Sequence, residues 1–145
     1  MDKSELKIYC DGGARGNPGP AASAFLVIEN GKTIHKDSKY IGKATNNTAE
    51  YSAVLLALTW LDDERIMNRN IRIFLDSKLV ANQLSGNYKI KNENLLKFHN
   101  KIKSLERKSD NDYIYNYIPR EKNEKADALV NIILSTKFTL SRSGT

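Results

Sequence analysis

A chain of 145 residues with 40% hydrophobic and 28% charged residues matches one globular domain, which argues against a disordered protein. No apolar stretch reaches the roughly 20 residues of a membrane span. Because the N-terminal residues run directly into a strand pattern, we expect no signal peptide. The single cysteine, Cys10, excludes an internal disulfide and predicts a cytoplasmic location. The net charge of +6, from 23 basic and 17 acidic residues, favours a polyanionic partner but is equally typical of basic domains that bind nothing acidic.

Residue periodicity predicts nine elements, with strands marked by alternation and helices by apolar spacings of three and four. In chain order they are strands at 5–11, 21–29 and 32–42, a helix at 45–61, a strand at 70–76, a short helix from about 77, a helix at 92–108, a strand at 112–119 and a helix from about 123 to 137. A Gly- and Pro-rich loop follows the first strand, and Asn30-Gly31 predicts a tight hairpin turn after the second. This order predicts an α/β fold with a mixed sheet, forming one domain over 1–138 with a flexible tail at 139–145.

Two predicted strands end alike in an aspartate, Asp11 after the first strand and Asp76 after the fourth. Both follow the apolar alternation in the same phase, so neighbouring parallel strands would project them from one edge of the sheet. Open α/β sheets place their functional sites at that edge. For either aspartate alone the alternative is a strand-ending turn residue, which is a common role of Asp.

Two further acids lie near predicted helix starts, where the helix dipole alone can account for them. Glu50 is followed by Val54, Ala57 and Leu61 at helical spacing, which places it on the stripe that faces the sheet. A carboxylate there needs a compensating partner, and a metal ion is a suitable one. Asp127, in the segment ADAL, would attract little notice by itself.

Four converging carboxylates without a cysteine or histidine cluster suit a hard cation, Mg²⁺ or Mn²⁺, and not a structural zinc ion. Two such ions, roughly 3.5–4 Å apart, can clamp a phosphodiester, one activating water and the other stabilising the leaving oxygen. This chemistry needs no nucleophilic side chain. It does need a dense acidic centre within a basic surface, which is the pattern this sequence offers.

Four segments together resemble the ribonuclease H family, type 1, in the family's order and over nearly the whole chain. They are DGGARGNPGPAA at 11–22, TNNTAEYSAVLLAL at 45–58, FLDSKLVANQL at 74–84 and PREKNEKADALVN at 119–131. The resemblance implies a ribonuclease H-like fold: a five-stranded sheet of order 3-2-1-4-5 with helices on both faces. It also implies Mg²⁺-dependent cleavage of the RNA strand of RNA–DNA hybrids, with Mn²⁺ as a substitute, leaving 5′-phosphate and 3′-hydroxyl ends.

By the same resemblance, the metal-binding and catalytic carboxylates are Asp11, Glu50, Asp76 and Asp127, which hold two ions. Asp11 is expected to bridge both ions. Glu50 and Asp76 are expected on the side of the leaving group and Asp127 on the side of the water, where it should tolerate replacement by Asn best.

The resemblance further implies contacts to the 2′-hydroxyls of the RNA strand, the groups that distinguish RNA from DNA. The matching positions are Ala14 through its backbone, Asn17, Thr45, Asn46 and Asn47. Short amides and a hydroxyl suit this task because they both donate and accept hydrogen bonds. Their alternative roles are loop residue for Asn17 and helix cap for Thr45 and Asn46.

Two departures from the family pattern affect the predicted site. No histidine lies in the loop before the last helix, since the chain has only His35 and His99, and Arg120 is the expected substitute. An arginine stays protonated at neutral pH, so its role would be electrostatic. The segment between Ser77 and Asn94 is too short for the basic helix of some members.

The loop at 88–91 could take over part of that helix's work. It carries Tyr88 and Lys89, an aromatic face and a cation suited to nucleic acid, although a solvated lysine loop is an equal alternative. A weaker grip could relax the discrimination between hybrid and double-stranded RNA.

Three other functions were weighed. A nucleotide triphosphatase is rejected, because Gly31-Lys32-Thr33 imitates the end of a phosphate loop but Leu26 stands where its first glycine should be. A catalytically silent nucleic-acid-binding module would be expected to lack one or more of the acids. A nuclease with a range broadened to double-stranded RNA is compatible with the sequence. We take a monomer as the default state.

Overall fold

The structure is a computed structural model that describes the backbone of residues 2–143 and the side chains of residues 2–137. Its strands are β1 Ser4–Ala14, β2 Gly19–Glu29, β3 Lys32–Ala44, β4 Arg69–Leu75 and β5 Asp112–Tyr117. Its helices are α1 Asn46–Asp63, α2 Lys78–Leu84, α3 Glu93–Arg107 and α4 Glu124–Ser143, with a short 3-10 turn at Arg120–Lys122. None of the helices in this part of the chain is long and apolar enough to cross a bilayer.

The five strands form one mixed sheet in the order β3-β2-β1-β4-β5, which confirms the predicted topology. β1 is central, because it pairs antiparallel with β2 and parallel with β4. In the parallel pair Tyr9 lies opposite Phe74, so two residues further on the same register aligns Asp11 with Asp76. The matching alternation of the two strands therefore predicted correctly that Asp11 and Asp76 lie at the same edge of the sheet.

Helices cover both faces of the sheet, as predicted. The larger core lies between the sheet and α1, α2 and α3, and it buries Leu6, Ile8 and Cys10 of β1 completely. On the opposite face α4 packs Val130 and Leu134 against alanines of β2. The edge of the sheet that carries Asp11 and Asp76 therefore lies between two helices, α1 on one face and α4 on the other.

Several element ends differ from the sequence prediction. β1 continues to Ala14 because it stays paired with β2 as far as Ala21, which shortens the predicted Gly/Pro loop to residues 15–18. α4 continues past Lys137, the predicted end, to Ser143. The 3-10 turn was not predicted. The flexibility of residues 139–145 stays a prediction, and residues 144 and 145 lie outside the described part.

Candidate active site

The four predicted carboxylates line a single groove of about 440 Å³ at the carboxyl edge of the sheet. Asp11, Glu50 and Asp76 form its centre, with one carboxylate oxygen of each within 4.8 Å of the others. Asp127 lines the same groove from the first turn of α4. Four residues far apart in sequence thus converge as the sequence predicted.

A buried asparagine that the sequence analysis treated only as a helix start fixes the position of Asp76. The Nδ2 of Asn123 donates to the Cys10 carbonyl at 2.8 Å and to Asp76 Oδ2 at 3.1 Å. Because both partners are oxygen acceptors, the NH2 end of the amide must face them. The Oδ1 atom points away from them and has no hydrogen-bond partner. Asn123 is only 1% exposed, and it joins the ends of β1 and β4 into one unit.

Glu50 reaches the centre because α1 packs directly on β1. A Cβ at Gly12 would lie 2.2 Å from the backbone C and O of Ala49, so only glycine permits this approach. The buried Ser23 hydroxyl donates to the Ala49 carbonyl at 2.7 Å and adds a second attachment. Glu50 is 6% exposed, which confirms that it faces the sheet, and its Oε2 has no hydrogen-bond partner.

The crowded carboxylates at the centre of the groove favour the binding of a cation. Burial, followed by the charges of Asp76 and Asp127, raises the pKa of Asp11 to about 8. Burial and the neighbouring Asp11 and Asp76 also raise the pKa of Glu50 well above its usual range. A hard divalent ion with oxygen ligands would relieve this repulsion and satisfy the unpartnered Glu50 oxygen, so the donor set fits Mg²⁺ or Mn²⁺.

Asp127 lies beside the compact centre. It is half-buried, and its Oδ2 accepts a hydrogen bond at 3.1 Å from Asn131, one turn later on α4. The Asn131 Oδ1 in turn accepts from Arg15 at 3.4 Å. Both Arg15 and Asn131 line the groove, and the sequence analysis singled out neither.

The predicted RNA contacts form a network at the start of α1. Asn17 Oδ1 accepts from the Asn46 amide at 2.9 Å, and Asn46 Oδ1 accepts from the Ala14 amide at 2.9 Å. Thr45 is the N-cap of α1 and accepts from the Thr48 amide. Thr45 therefore has the alternative role of helix cap, and the backbone N–H of Ala14 is already hydrogen-bonded to Asn46. Asn46 and Asn47 line the acidic groove.

The remaining candidates separate into two groups. Arg120 lines the acidic groove from the 3-10 turn, where the resemblance placed it. Tyr88 and Lys89 are exposed on the loop between α2 and α3 and do not line this groove. Neither histidine lines the groove. His35 stacks on Trp60, with 4.6 Å between the ring centroids, and His99 lies on α3.

A second groove, of about 840 Å³, runs between β3, α1 and α3. Its polar lining includes Lys39, Lys43 and Thr45, and its apolar lining includes Leu56 and Phe98. Because Thr45 lines this groove while the next two residues line the acidic one, the first turn of α1 forms the ridge between them.

Comparison with known proteins identifies relatives over most of the chain. The profile of the family described as "Reverse transcriptase-like" matches residues 9–132. The "Bifunctional protein Rv2228c" of Mycobacterium tuberculosis is 36% identical over 88% of this chain, and "Ribonuclease HI" of Halobacterium salinarum is 37% identical over 87%. The chain spans 35% of the length of the first relative and 62% of the second.

Solved structures agree with the sequence matches. The crystal structure of LC11-RNase H1 in complex with an RNA/DNA hybrid superimposes with a TM-score of 0.81 at 39% identity, covering 87% of this chain and 94% of that one. The similarity to this structure therefore extends over most of the chain.

Proposed function

Since this chain belongs to the type 1 ribonuclease H family, we propose that it is an endoribonuclease that hydrolyses the RNA strand of RNA–DNA hybrids. The products would carry 5′-phosphate and 3′-hydroxyl ends. The observation that carries this proposal is the convergence of Asp11, Glu50 and Asp76 within 4.8 Å, with Asp127 in the same groove. A cytoplasmic location and a monomeric state are part of the proposal.

Asp11, Glu50, Asp76 and Asp127 would hold two Mg²⁺ ions, or Mn²⁺ in their place. When bound, such ions activate the attacking water and stabilise the leaving oxygen. The protein's own contribution is to hold the carboxylates in place before the substrate arrives. Asn123 orients Asp76, and the contact of Gly12 with α1 brings Glu50 to Asp11. Because burial raises the pKa of Asp11 and Glu50, these acids lose their protons readily only when a cation replaces them.

The shape of the surface supports a duplex substrate. The acidic groove would take the scissile RNA strand, and the second groove, with Lys39 and Lys43, would take the phosphates of the complementary strand. The ridge between them carries Asn46 and Asn47, short amides of the kind that can read a 2′-hydroxyl. In this arrangement the lysines of the second groove contact the strand that is not cut.

Relaxed specificity is the second candidate, and one observation favours it. α2 ends at Leu84 and α3 begins at Glu93, so only an eight-residue loop stands where some relatives would carry a basic helix. Fewer contacts to the complementary strand would discriminate less between DNA and RNA there. A catalytically silent binding module is less well supported, because all four acids are present and converge.

The proposal is tested by a cleavage assay with Mg²⁺ or Mn²⁺ on labelled RNA–DNA hybrid, double-stranded RNA and double-stranded DNA. We expect the wild type to cut hybrid and Asp76→Asn to be inactive. Asp63→Asn, which removes an exposed acid at the end of α1, serves as the control for surface charge and should cut normally. Comparable cutting of double-stranded RNA would establish the broadened range, and binding without cleavage in either metal would overturn the enzyme proposal.

A further inference from the structure

We propose that Arg15 binds a phosphate of the RNA strand next to the scissile one, and that Asn131 positions the guanidinium for this contact. This inference rests on the proposed nuclease function and names a substrate subsite within it. It is carried by the surroundings of Arg15 in the acidic groove.

The acidic groove has few positive charges with which to hold a nucleic acid strand. A polyanionic strand that approaches four carboxylates meets repulsion, so cations beside the acids are needed to hold it. Among the residues lining the acidic groove in the described part of the chain, only Arg15 and Arg120 are basic. The positive charge available at the cleavage site is therefore concentrated in these two side chains.

The backbone of Arg15 is held by contacts on both sides of the β1–β2 turn. Its N–H donates to the Pro20 carbonyl at 2.8 Å across the β1–β2 turn. Its carbonyl packs against Gly19, where an added Cβ would lie 2.0 Å from the carbonyl oxygen. The base of the side chain is thus fixed relative to the acids, which lowers the entropy lost when the guanidinium binds a ligand.

The guanidinium of Arg15 is oriented by a hydrogen bond but is not neutralised by an acid. One Nη donates to Asn131 Oδ1 at 3.4 Å, while Asn131 Nδ2 donates to Asp127 Oδ2 at 3.1 Å. Within the described side chains, Arg15 forms no ion pair. A guanidinium has five N–H donors, so most of them remain for the two-pronged contact with phosphate that arginine favours.

The position of Asn131 indicates which phosphate Arg15 would contact. Asn131 follows Asp127 by four residues, a rise of about 6 Å along α4. Arg120 lies in the turn that precedes α4, whereas Arg15 contacts α4 at Asn131, after Asp127. We therefore assign Arg15 to a neighbouring phosphate and not to the scissile one.

The test measures hybrid binding by fluorescence anisotropy in the Asp76→Asn background, where no strand is cut, over a series of KCl concentrations. We expect Arg15→Gln to weaken binding about 5- to 10-fold at low salt and to reduce the slope of log K against log salt by about one. Arg107→Gln, at an exposed arginine ending α3, is the matched control and should leave the slope unchanged. Asn131→Ala should weaken binding while keeping the slope.

The phosphate itself is identified with hybrids that carry one neutral methylphosphonate linkage. Neutralising the contacted RNA phosphate should weaken binding of the parent but not of Arg15→Gln, because the two changes remove the same interaction. An unchanged salt slope for Arg15→Gln would overturn the proposal and leave Arg15 a tether between loop and helix. A coupled position found only in the DNA strand would overturn the strand assignment. If the wild type fails to cut hybrid while this coupling holds, the nuclease proposal fails and the phosphate subsite stands.

Discussion

Asn123 donates both hydrogens of its amide at the acidic edge, one to the Cys10 carbonyl and one to Asp76. A carboxylate of the same shape would face these two acceptors with oxygen lone pairs. We therefore expect Asn123→Asp to lower activity about 10- to 100-fold and to raise the Mg²⁺ concentration needed for half-maximal cleavage, as measured on hybrid at saturating concentration.

Asn100→Asp, an exposed amide-to-acid change on α3, is the control for added charge. A variant of Asn123 that loses thermal stability but keeps the wild-type Mg²⁺ dependence would show that this residue only supports the fold. A shifted Mg²⁺ dependence would show that it positions Asp76.

Asp11 makes the stability of the metal-free protein depend on pH. Its pKa is raised to about 8 in the folded chain, against about 3.9 when unfolded. Below about pH 4 both states hold the proton, and the contribution to stability is fully present. As pH rises toward 8 the unfolded state releases the proton first, so the free energy of unfolding falls.

We expect the Tm in EDTA to fall between pH 5 and pH 8, and to fall less in Asp11→Asn. Thermal denaturation followed by circular dichroism measures both slopes, with about 3 °C corresponding to 1 kcal/mol for a chain of this length. Adding Mg²⁺ at pH 8 should restore the lost stability, because the ion replaces the proton. Equal slopes for the two proteins would contradict the prediction.

Residue periodicity predicted where the acids lie better than it predicted the amides that contact them. Asp11, Asp76 and Glu50 stand at positions where strand and helix periods alone define an edge or a face. Asn123 stands at the predicted start of the last helix, and the sequence analysis assigned it no further role. Its actual direction depends on β1 and β4 meeting beneath it, and local sequence does not encode that contact.

At the level of elements, the packing of α1 on β1 decides whether Glu50 reaches the site. We expect Gly12→Ala to destabilise the fold by several kcal/mol and to abolish cleavage, because its Cβ would overlap the backbone of Ala49. Gly13→Ala is the neighbouring control, since the nearest atom to its Cβ is a Val130 methyl at 3.8 Å, an ordinary contact. Urea denaturation of the two variants measures the difference, and equal stability would contradict the close approach.

Element types and order followed from the sequence, while several boundaries did not. The alternation at 5–11 predicted β1 but not its continuation to Ala14, which depends on pairing with β2 across the turn. The glycines after Asp11 suggested a loop, yet Gly12 is paired in the sheet opposite Ser23. Glycine serves there for close packing, a requirement that only the tertiary structure reveals.

At the scale of the whole molecule, basic residues line both grooves. Among the side chains that the structure describes, the acidic groove has two arginines beside four carboxylates, whereas the second groove is lined by Lys39 and Lys43 without an acidic residue. Lys39 and Lys43 are two of the 23 basic residues behind the net charge of +6, so the groove and the net charge can be tested separately. The ridge of α1 between the grooves would lie between the two strands of a bound duplex.

Charge reversal on β3 tests the role of the second groove. Lys39→Glu/Lys43→Glu should weaken hybrid binding by about 10-fold or more and make it less sensitive to salt, because two phosphate contacts become repulsive. Lys32→Glu/Lys36→Glu changes the net charge by the same amount and lies on the same strand, at exposed positions that line neither groove. It therefore measures the effect of net charge alone. Mg²⁺ binding to the acids should be the same in both. If the two double variants bind hybrid equally, the second groove does not hold the complementary strand, and the basic surface attracts the duplex only through its net charge.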